Sequence, residues 1–171
     1  IANAIDEELL TATPSAKIFK NRSAWHIRDF GRGLEYSHLT QKENQEKLSR
    51  RDVVIGKFGV GLKDAFATLE RNNVEVSIIS KHGNISLGRS SKQGFEDVVT
   101  LHALIEKPAD PQFAGTEFIL NGVDNKQIER AKDFFLRFSG EKLLEQTKYG
   151  QVLKRHKSHA RIYINGVRVA E

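Results

Sequence analysis

The fold is decided by residues 55–66, whose sequence is IGKFGVGLKDAF. Three glycines in this stretch lead directly into a helix-forming segment at 62–71. Because glycine has no Cβ atom, a glycine loop can approach a ligand closely. The helix after it presents unpaired N–H groups and the positive end of its dipole. The stretch therefore predicts an anion site suited to a polyphosphate; the alternative is an ordinary glycine turn before a core helix.

The composition indicates a globular protein of one domain or slightly more. Of the 171 residues, 39% are hydrophobic and ten are Phe, which is enough to form a core. No apolar run approaches the roughly 20 residues that a membrane span needs, and no signal peptide is visible. The absence of cysteine excludes disulfides and thiolate metal sites, which fits a cytoplasmic protein. A chain that starts at Ile1 and contains no Met is expected to be a fragment.

The positive charge is concentrated near the C-terminal end. The net charge is +5, and no acid lies between Glu145 and Glu171, whereas segment 148–168 carries six basic residues: Lys148, Lys154, Arg155, Lys157, Arg161 and Arg168. Such a segment can bind nucleic acid or an acidic partner, although a solvated face is the commoner explanation.

Periodicity and turn residues predict most of the elements. In the first half we expect a helix at 1–10, a loop at 11–21, a strand at 23–28, a turn at 29–33, and a weakly held helix capped by Thr40 and Glu43 that ends near Arg50. In the second half we expect strands at 74–80, 85–89, 95–106 and 115–121, a helix at 124–138, a helix at 143–153 and a hairpin at 161–169. This order predicts an α+β fold, a two-layer sandwich of a mostly antiparallel sheet with helices on one face.

Two groups of polar residues accompany the glycine loop. Asn3 and Asp6 are three residues apart on the first helix and so share a face, where their oxygens suit a Mg²⁺ ion that also holds phosphates. Asp29 follows a strand and can accept a hydrogen bond from an exocyclic amine such as that of adenine, while Gly31 and Gly33 let a flat base lie close to the backbone. The alternatives are a solvent-facing Asn, a helix-end Asp and a plain Asp-Gly turn.

A third group opens the predicted strand at 115–121, where Gly115 precedes Thr116. The hydroxyl of Thr116 can donate or accept, directly or through water. A simple strand start is the alternative.

The order of these motifs resembles the GHKL ATPase superfamily, which includes gyrase B, the ninety-kilodalton heat-shock chaperones, sensor histidine kinases and MutL. The motifs are NAID at 3–6, DFGRG at 29–33, GKFGVGL at 56–62 and GT at 115–116. The glycine box is most similar to the chaperone version and also to those of MutL and MORC proteins. The resemblance covers residues 1–121 and implies a Bergerat fold, with a GHKL-type ATP-binding domain at 1–140. Residues 141–171 would end that domain or begin a transducer-like one.

The resemblance also implies roles for individual residues. Asn3 would coordinate Mg²⁺, Asp29 would accept from the adenine amine, Gly33 and Leu34 would line the base, and Thr116 would assist. The phosphates of ATP would bind backbone N–H groups of Gly56, Lys57, Phe58, Gly59, Val60, Gly61 and Leu62. Lys57 stands where relatives often have Gln, and it would contact a terminal phosphate or point to solvent. Residues 35–54 would form an ATP lid, whose closure commonly drives dimerisation in this superfamily.

The chain departs from the family pattern in two respects. The general base of the family is a Glu four residues before the Asn, a position two residues before Ile1; without that base, hydrolysis should fall by roughly 10²–10⁴. Glu7 stands where relatives usually have a small Ala, so it faces solvent or alters the pocket wall. Neither Glu7 nor Glu8 has the spacing to replace the base.

These observations favour an ATP- and Mg²⁺-binding domain of an intracellular, chaperone-like GHKL ATPase, whose lid closure signals to downstream domains. Three alternatives stay open: a histidine-kinase catalytic domain, a nucleic-acid-linked ATPase of the MutL or MORC kind, and an ATP switch that does not hydrolyse. The expected partners are ATP, a second copy of the chain through the ATP-bound domain, and a protein client or nucleic acid at the basic segment.

Overall fold

The computed structural model describes residues 1–40, 45–50, 52–56, 61–154 and 159–171, apart from the side chains of Gln45 and Glu96. The chain forms two compact units, Ile1–Val123 and Asp124–Glu171. The functional boundary expected at residue 140 stays a prediction. Within the described ranges, no helix is both long and apolar enough to cross a membrane.

Over its described residues, the first unit contains one six-stranded sheet and four helices. The strand order is β1-β2-β6-β3-β4-β5, and each pairing is antiparallel. The prediction of a mostly antiparallel sheet with helices is therefore confirmed. The elements are α1 (Ala2–Thr11), β1 (Lys17–Asn21), β2 (Ala24–Arg28), α2 (Tyr36–Thr40), α3 (Gln45–Ser49), α4 (Gly61–Arg71), β3 (Glu75–Ser80), β4 (Gly83–Lys92), β5 (Phe95–Glu106) and β6 (Thr116–Asn121).

The core lies on one face of this sheet. Alternation along the strands brings Ile27, Ile78 and Leu120 to the same face, and Ile78 is only 1% exposed. Ala4 of α1 and Phe66 of α4 belong to the same buried cluster. Both helices are therefore held on the face of the sheet that carries the core.

The topology brings polar residues to one end of the sheet. Because β6 runs antiparallel to both of its neighbours, its first residue lies beside their last residues. Thr116 pairs with Ser80 at the end of β3, and its carbonyl accepts from the N–H of Asp29, 3.0 Å away, just after β2. Residues from three distant parts of the sequence thus meet at this end.

In the part of the second unit that the structure describes, there are two short helices and two hairpins. Asp124 caps α5, and a full capping box with Gln127 is present. Asn165 and Gly166 have φ values of 49° and 76°, as the predicted two-residue type I′ turn requires. The elements are α5 (Asn125–Lys132), α6 (Leu136–Ser139), β7 (Leu143–Gln146), β8 (Gln151–Leu153), β9 (Ile162–Ile164) and β10 (Val167–Ala170).

Three element predictions were wrong. The predicted loop at 11–21 contains β1, which pairs with β2 through a tight turn that Arg22 makes possible by adopting a φ of 54°. The helix predicted over 124–138 ends at Lys132, because Phe135 is extended and bridges to Val167. The helix predicted over 143–153 is the β7–β8 hairpin, since the hydroxyl of Thr147 accepts from the N–H of Gly150 and fixes a turn there.

The predicted capping box of the polar segment stays a prediction, because it includes a residue that the structure does not describe. Thr40 is the last residue of α2, and its hydroxyl donates to the carbonyl of Ser37 at 3.1 Å. Its expected partner, Glu43, lies outside the described residues. Helix α3 ends at Ser49, close to the predicted end.

Candidate functional site

A buried carboxylate occupies the end of the sheet where the three strands meet. Asp29 is 4% exposed, and its Oδ1 accepts from the N–H groups of Gly31 at 3.0 Å and Thr116 at 3.2 Å. The Thr116 hydroxyl also interacts with this carboxylate. The structure therefore brings together the two residues that the resemblance assigns to adenine.

The environment of Asp29 opposes its ionisation. Burial raises the pKa of the carboxyl above its ordinary value of 3.8, and the negative charge of Glu7 adds to the rise. The N–H groups of Gly31 and Thr116 offset part of this effect by stabilising the charged form. Asp29 is therefore a pure acceptor only above this raised pKa.

Two glycines let the backbone crowd around Asp29. Gly115 has a φ of +82°, and a Cβ atom there would meet the carbonyl oxygen of Asp29 and approach the Cα of Phe30 to 2.7 Å. Gly33 has a φ of +89°, and a Cβ there would lie 2.9 Å from the Oγ of Ser80. Both positions combine a left-handed backbone with a close contact, so both require glycine.

Further contacts fix the segment after Gly33. The hydroxyl of Ser80 donates to the carbonyl of Leu34 at 3.0 Å, and the side chain of Leu34 packs against the core. A ring nitrogen of His82 lies 3.2 Å from the carbonyl oxygen of Arg32. The end of β3 and the turn after it therefore hold residues 32–34 in place.

Helix α1 contacts the start of the glycine box through Asp6. This side chain is fully buried, and its two oxygens accept from the N–H of Ile55 at 2.6 Å and the N–H of Gly56 at 2.9 Å. In this arrangement the N–H of Gly56 is donated to Asp6 and is not directed at a ligand. Asp6 thus positions the entry to the box, a role that its spacing from Asn3 did not predict.

A lysine ammonium lies between the two residues predicted to hold a metal. The Nζ of Lys47 on α3 is 2.8 Å from the Oδ2 of Asp6 and 3.2 Å from the Oδ1 of Asn3. The side chain of Lys47 is 17% exposed. Asn3 and Asp6 therefore share a face, as predicted, and their oxygens converge on one cation.

This donor set fits a divalent cation that brings other ligands with it. Amide and carboxylate oxygens suit Mg²⁺, and the Lys47 ammonium shows that both can face one positive charge. In the described part of the chain there is no cluster of three or more His, Cys, Asp or Glu side chains that could hold a metal. A Mg²⁺ at Asn3 would therefore take most of its oxygens from a phosphate ligand and water.

Glu7 does not face solvent. Its carboxylate makes a two-pronged ion pair with Arg32, whose Nε and Nη2 donate at 2.9 and 3.0 Å, and it accepts from the Arg32 N–H at 2.9 Å. Arg32 also contacts Glu46 of α3 at 2.8 Å. The Glu7 side chain covers Gly31, where a Cβ would lie 2.6 Å from its Oε1. Glu7 is thus a wall of the Asp29 turn.

Opposing effects act on the pKa of Glu7. Partial burial alone would raise it, but the hydrogen bonds and positive charge of Arg32 outweigh burial and lower it below its ordinary value of 4.5. The pKa of Arg32 is raised by the same pairing and by Glu46. Both groups are therefore charged at neutral pH.

The rest of the glycine box is described only in part. The predicted phosphate-binding residues Lys57, Phe58, Gly59 and Val60 lie outside the described residues. Gly61 and Leu62 begin α4, and the side chain of Leu62 packs against the core. Nothing lies within 4 Å of a Cβ at Gly61. The first-turn N–H groups of α4 have no partner within the helix, as in any helix.

The basic segment is partly neutralised within the second unit. Arg161 contacts Asp133, Glu141 and Glu171, and Arg168 contacts Asp133 and Glu171. Both arginine side chains are about one-tenth exposed. Residues 155–158, with two of the basic side chains, lie outside the described ranges. The acids that pair with these arginines lie outside the acid-poor stretch of the sequence. Less unpaired positive charge is therefore exposed here than the sequence alone suggests.

Several residues at this site carried no local sequence signal. Lys47 lies 41 residues from Asp6, and Glu7 lies 25 residues from Arg32. Ser80 looked like an ordinary strand end. Only the register of the sheet and the position of α1 bring these side chains to the motifs.

Two comparisons with known proteins identify relatives. A family model described as the Mycoplasma pneumoniae MPN635 N-terminal domain matches residues 126–171. A protein of Mycoplasma pneumoniae, described as an uncharacterized protein, is 34% identical over 174 residues, which cover 99% of this chain and 70% of the relative.

Proposed function

This chain belongs to the same family as that Mycoplasma pneumoniae protein, and we propose that its first unit binds ATP together with Mg²⁺ as a GHKL-type domain. The proposal includes the finer fold assignment, a Bergerat two-layer sandwich. It also includes a cytoplasmic ATPase activity of the full-length protein. That relative is described without a ligand, and the support for ATP binding lies in the site of this chain.

One observation carries the proposal: motifs from four separate parts of the sequence meet around α1 and the end of the sheet. Asp6 holds the entry of the glycine box through Ile55 and Gly56. Glu7, the next residue, holds the Asp29 turn through Arg32. Thr116 touches Asp29 from the other side. Ordinary core packing does not require three buried or half-buried polar anchors at one place, whereas ligand pockets use a small number of precisely placed polar groups to orient the ligand.

The base would bind at Asp29. Once Oδ1 has accepted from Gly31 and Thr116, the other carboxylate oxygen can accept from the exocyclic amine of adenine. The backbone around Gly33 offers a surface without side chains against which a flat ring can lie. The hydroxyl of Thr116 adds a second polar contact. Desolvation of the carboxylate strengthens such a hydrogen bond, because the surrounding dielectric is low.

The phosphates would bind at the other side of α1. The first-turn N–H groups of α4, from Gly61 and Leu62, are donors that suit an anion at the positive end of an eleven-residue helix. Asn3 would supply an oxygen to Mg²⁺, which neutralises the negative charge of the phosphates. Asp6 would keep the glycine box in register with that metal, since it already holds the N–H of Gly56.

Neither acidic residue after Asn3 is a good candidate for the general base. Glu7 is engaged by Arg32, and Glu8 accepts from the N–H of Ala16 at 2.9 Å and the hydroxyl of Ser15 at 3.2 Å. A base must lie within hydrogen-bond reach of the attacking water. Hydrolysis in this chain would therefore depend on the Glu that the resemblance expects ahead of Asn3.

The test is the affinity for ATP with Mg²⁺, measured by calorimetry on the wild type and on Asp29→Asn. The Asn side chain keeps an oxygen for the N–H groups of Gly31 and Thr116 but replaces the other acceptor with a donor. We expect the affinity to fall by about 10- to 100-fold, the equivalent of one hydrogen bond to a charged group.

Asp97→Asn, on the exposed face of β5, is the matched control and should bind ATP as the wild type does. Absence of ATP binding in the wild type, or equal binding by Asp29→Asn, would refute the proposal.

A further inference from the structure

Lys47 of α3 lies beside the two oxygen donors of α1. Its ammonium contacts Oδ2 of Asp6 and Oδ1 of Asn3, at 2.8 and 3.2 Å. It also lies 3.4 Å from the place that a Cβ of Gly56 would occupy. The charge therefore sits between the first helix and the entry of the glycine box, where the two oxygen donors converge.

We propose that Lys47 is the resident cation of the Asn3–Asp6 oxygen pair, and that a divalent cation enters this position only by displacing its ammonium. The residue would thereby set the metal dependence of the site. Its relevance to nucleotide binding rests on the proposed function, whereas the competition between two cations for one pair of oxygens does not.

Distance and charge make the two occupants exclusive. A Mg²⁺ ion binds its oxygen ligands at 2.0–2.1 Å. An ammonium that stays 3.2 Å from the Oδ1 of Asn3 would then lie within a few ångströms of the metal. Two like charges at that separation repel strongly in a partly buried setting, where water screens them less than it does at the surface. One of them has to leave.

Burial explains why a cation is needed at all. Asp6 is fully buried, and an unpaired buried carboxylate is strongly disfavoured. The N–H groups of Ile55 and Gly56 satisfy part of its hydrogen-bonding capacity but bring no full charge. Lys47 supplies that charge in the protein without metal, and a divalent cation would supply it otherwise.

The attachment of α3 allows this exchange without loss of the helix. Glu46, the residue before Lys47, contacts Arg32 at 2.8 Å, and Arg32 is held by Glu7 of α1. Withdrawal of the Lys47 ammonium leaves this second link between α3 and α1 in place. A long, flexible lysine stem can redirect its charge with little change in the backbone.

The experiment measures the binding of Mn²⁺ alone, by electron paramagnetic resonance, to the full chain. Mn²⁺ serves as the probe because it shares the oxygen preference of Mg²⁺. Lys47→Met keeps most of the side-chain volume and removes the charge, so we expect Mn²⁺ to bind about tenfold more tightly than to the wild type. Lys126→Met removes one charge from an exposed position on α5 and should leave the affinity unchanged.

Two further variants extend the test: the first locates the effect at Asn3, and the second keeps the test valid if Lys47→Met unfolds. Asn3→Ala combined with Lys47→Met should lose the gain in affinity, because one metal ligand is gone. Lys47→Arg keeps the charge and should bind Mn²⁺ as weakly as the wild type. The inference is wrong if Lys47→Met binds Mn²⁺ no better than the wild type, if Lys126→Met shows the same gain, or, where Lys47→Met does not fold, if Lys47→Arg gains affinity.

ATP titrations separate this inference from the proposed function. Lys47→Met should show a larger ratio of ATP affinity with Mg²⁺ to that in EDTA than the wild type shows. If no variant binds ATP while the Mn²⁺ results hold, the proposed function fails and the resident cation stands. If ATP binds and the affinity for Mn²⁺ does not change with substitution of Lys47, the proposed function stands and the inference about the resident cation fails.

Discussion

Substitution of Gly115 by alanine tests the close approach on which the Asp29 site depends. A Cβ at this position would meet the carbonyl oxygen of Asp29 and lie 2.6 Å from its carbonyl carbon and 2.7 Å from the Cα of Phe30. All three atoms are backbone, so a rotamer change cannot relieve the contact. The ends of β2 and β6 would have to separate.

The expected loss in the free energy of unfolding has two components, backbone strain and weakened hydrogen bonds. Alanine at a φ of +82° costs about 1–2 kcal/mol. Separation weakens two hydrogen bonds, from the N–H of Asp29 to the carbonyl of Thr116 and from the N–H of Thr116 to Oδ1 of Asp29, worth about 1 kcal/mol each. These terms amount to about 3–4 kcal/mol, and the lower entropy of the unfolded alanine chain offsets about 0.4–1 kcal/mol. We therefore expect Gly115→Ala to lower the free energy of unfolding by about 2–3.5 kcal/mol.

Gly94→Ala is the matched control. Gly94 has a φ of +80° in the turn between β4 and β5, and nothing lies within 4 Å of a Cβ there. It carries the same backbone strain without the contact, and the lower entropy of the unfolded alanine chain offsets about 0.4–1 kcal/mol of that strain. Its net cost should therefore be about 1.5 kcal/mol or less.

Urea unfolding followed by the fluorescence of Trp25 measures both variants. Trp25 is the only tryptophan of the chain, and it pairs with Leu120 of β6, so its signal reports on the strands concerned. The difference between the two variants isolates the contact with Asp29. Equal midpoints and slopes for the two variants would refute the inferred packing of β2 against β6.

Two further predictions concern other anchors of the fold. Glu7→Gln should lower the free energy of unfolding at pH 7. Because the pKa of Glu7 is lowered in the folded protein, the ionised carboxylate stabilises the fold above the ordinary pKa of 4.5, and this stabilisation is lost as the pH falls through the folded pKa. The loss of stability measured in urea should therefore become smaller below pH 4.5. A deficit that does not change with pH would contradict the ion pair with Arg32. Asp124→Ala should cost about 1 kcal/mol, because it removes the side-chain oxygen that accepts from the N–H of Gln127. A thermal melt followed by circular dichroism that matches the wild type would contradict this.

The parts of the fold that the sequence predicted well are those determined by local interactions. The Asn165–Gly166 hairpin and strand β5 follow from turn chemistry and alternation over a few residues. The helix predicted over 124–138 failed because a distant partner, Val167, pairs with Phe135 and outweighs helix propensity. Strand β1 was missed because its short run between Pro14 and Arg22 has little apolar alternation until its pairing with β2 is known.

The same limit applies to the site. Asn3 and Asp6 could be placed on one face because i and i+3 residues of a helix are neighbours. The meeting of Asp29 with Thr116, 87 residues apart, depends on the order of strands in the sheet, which no local pattern determines. Only the resemblance to the GHKL superfamily predicted that Asp29 and Thr116 would lie at one site. The resemblance could not predict the contacts of Lys47 and Arg32, because their partners are determined by how α1 packs.

Helix α1 links the two ends of the site, and the direction of its side chains explains how. Successive residues of a helix point about 100° apart. Asp6 therefore faces Gly56, while Glu7 faces Arg32 and covers Gly31. A small alanine at position 7 could not make the second contact. In this chain the wall of the Asp29 turn and the entry of the glycine box are thus held by adjacent residues of one helix. We therefore expect a ligand that contacts both anchors to act on them through this one helix.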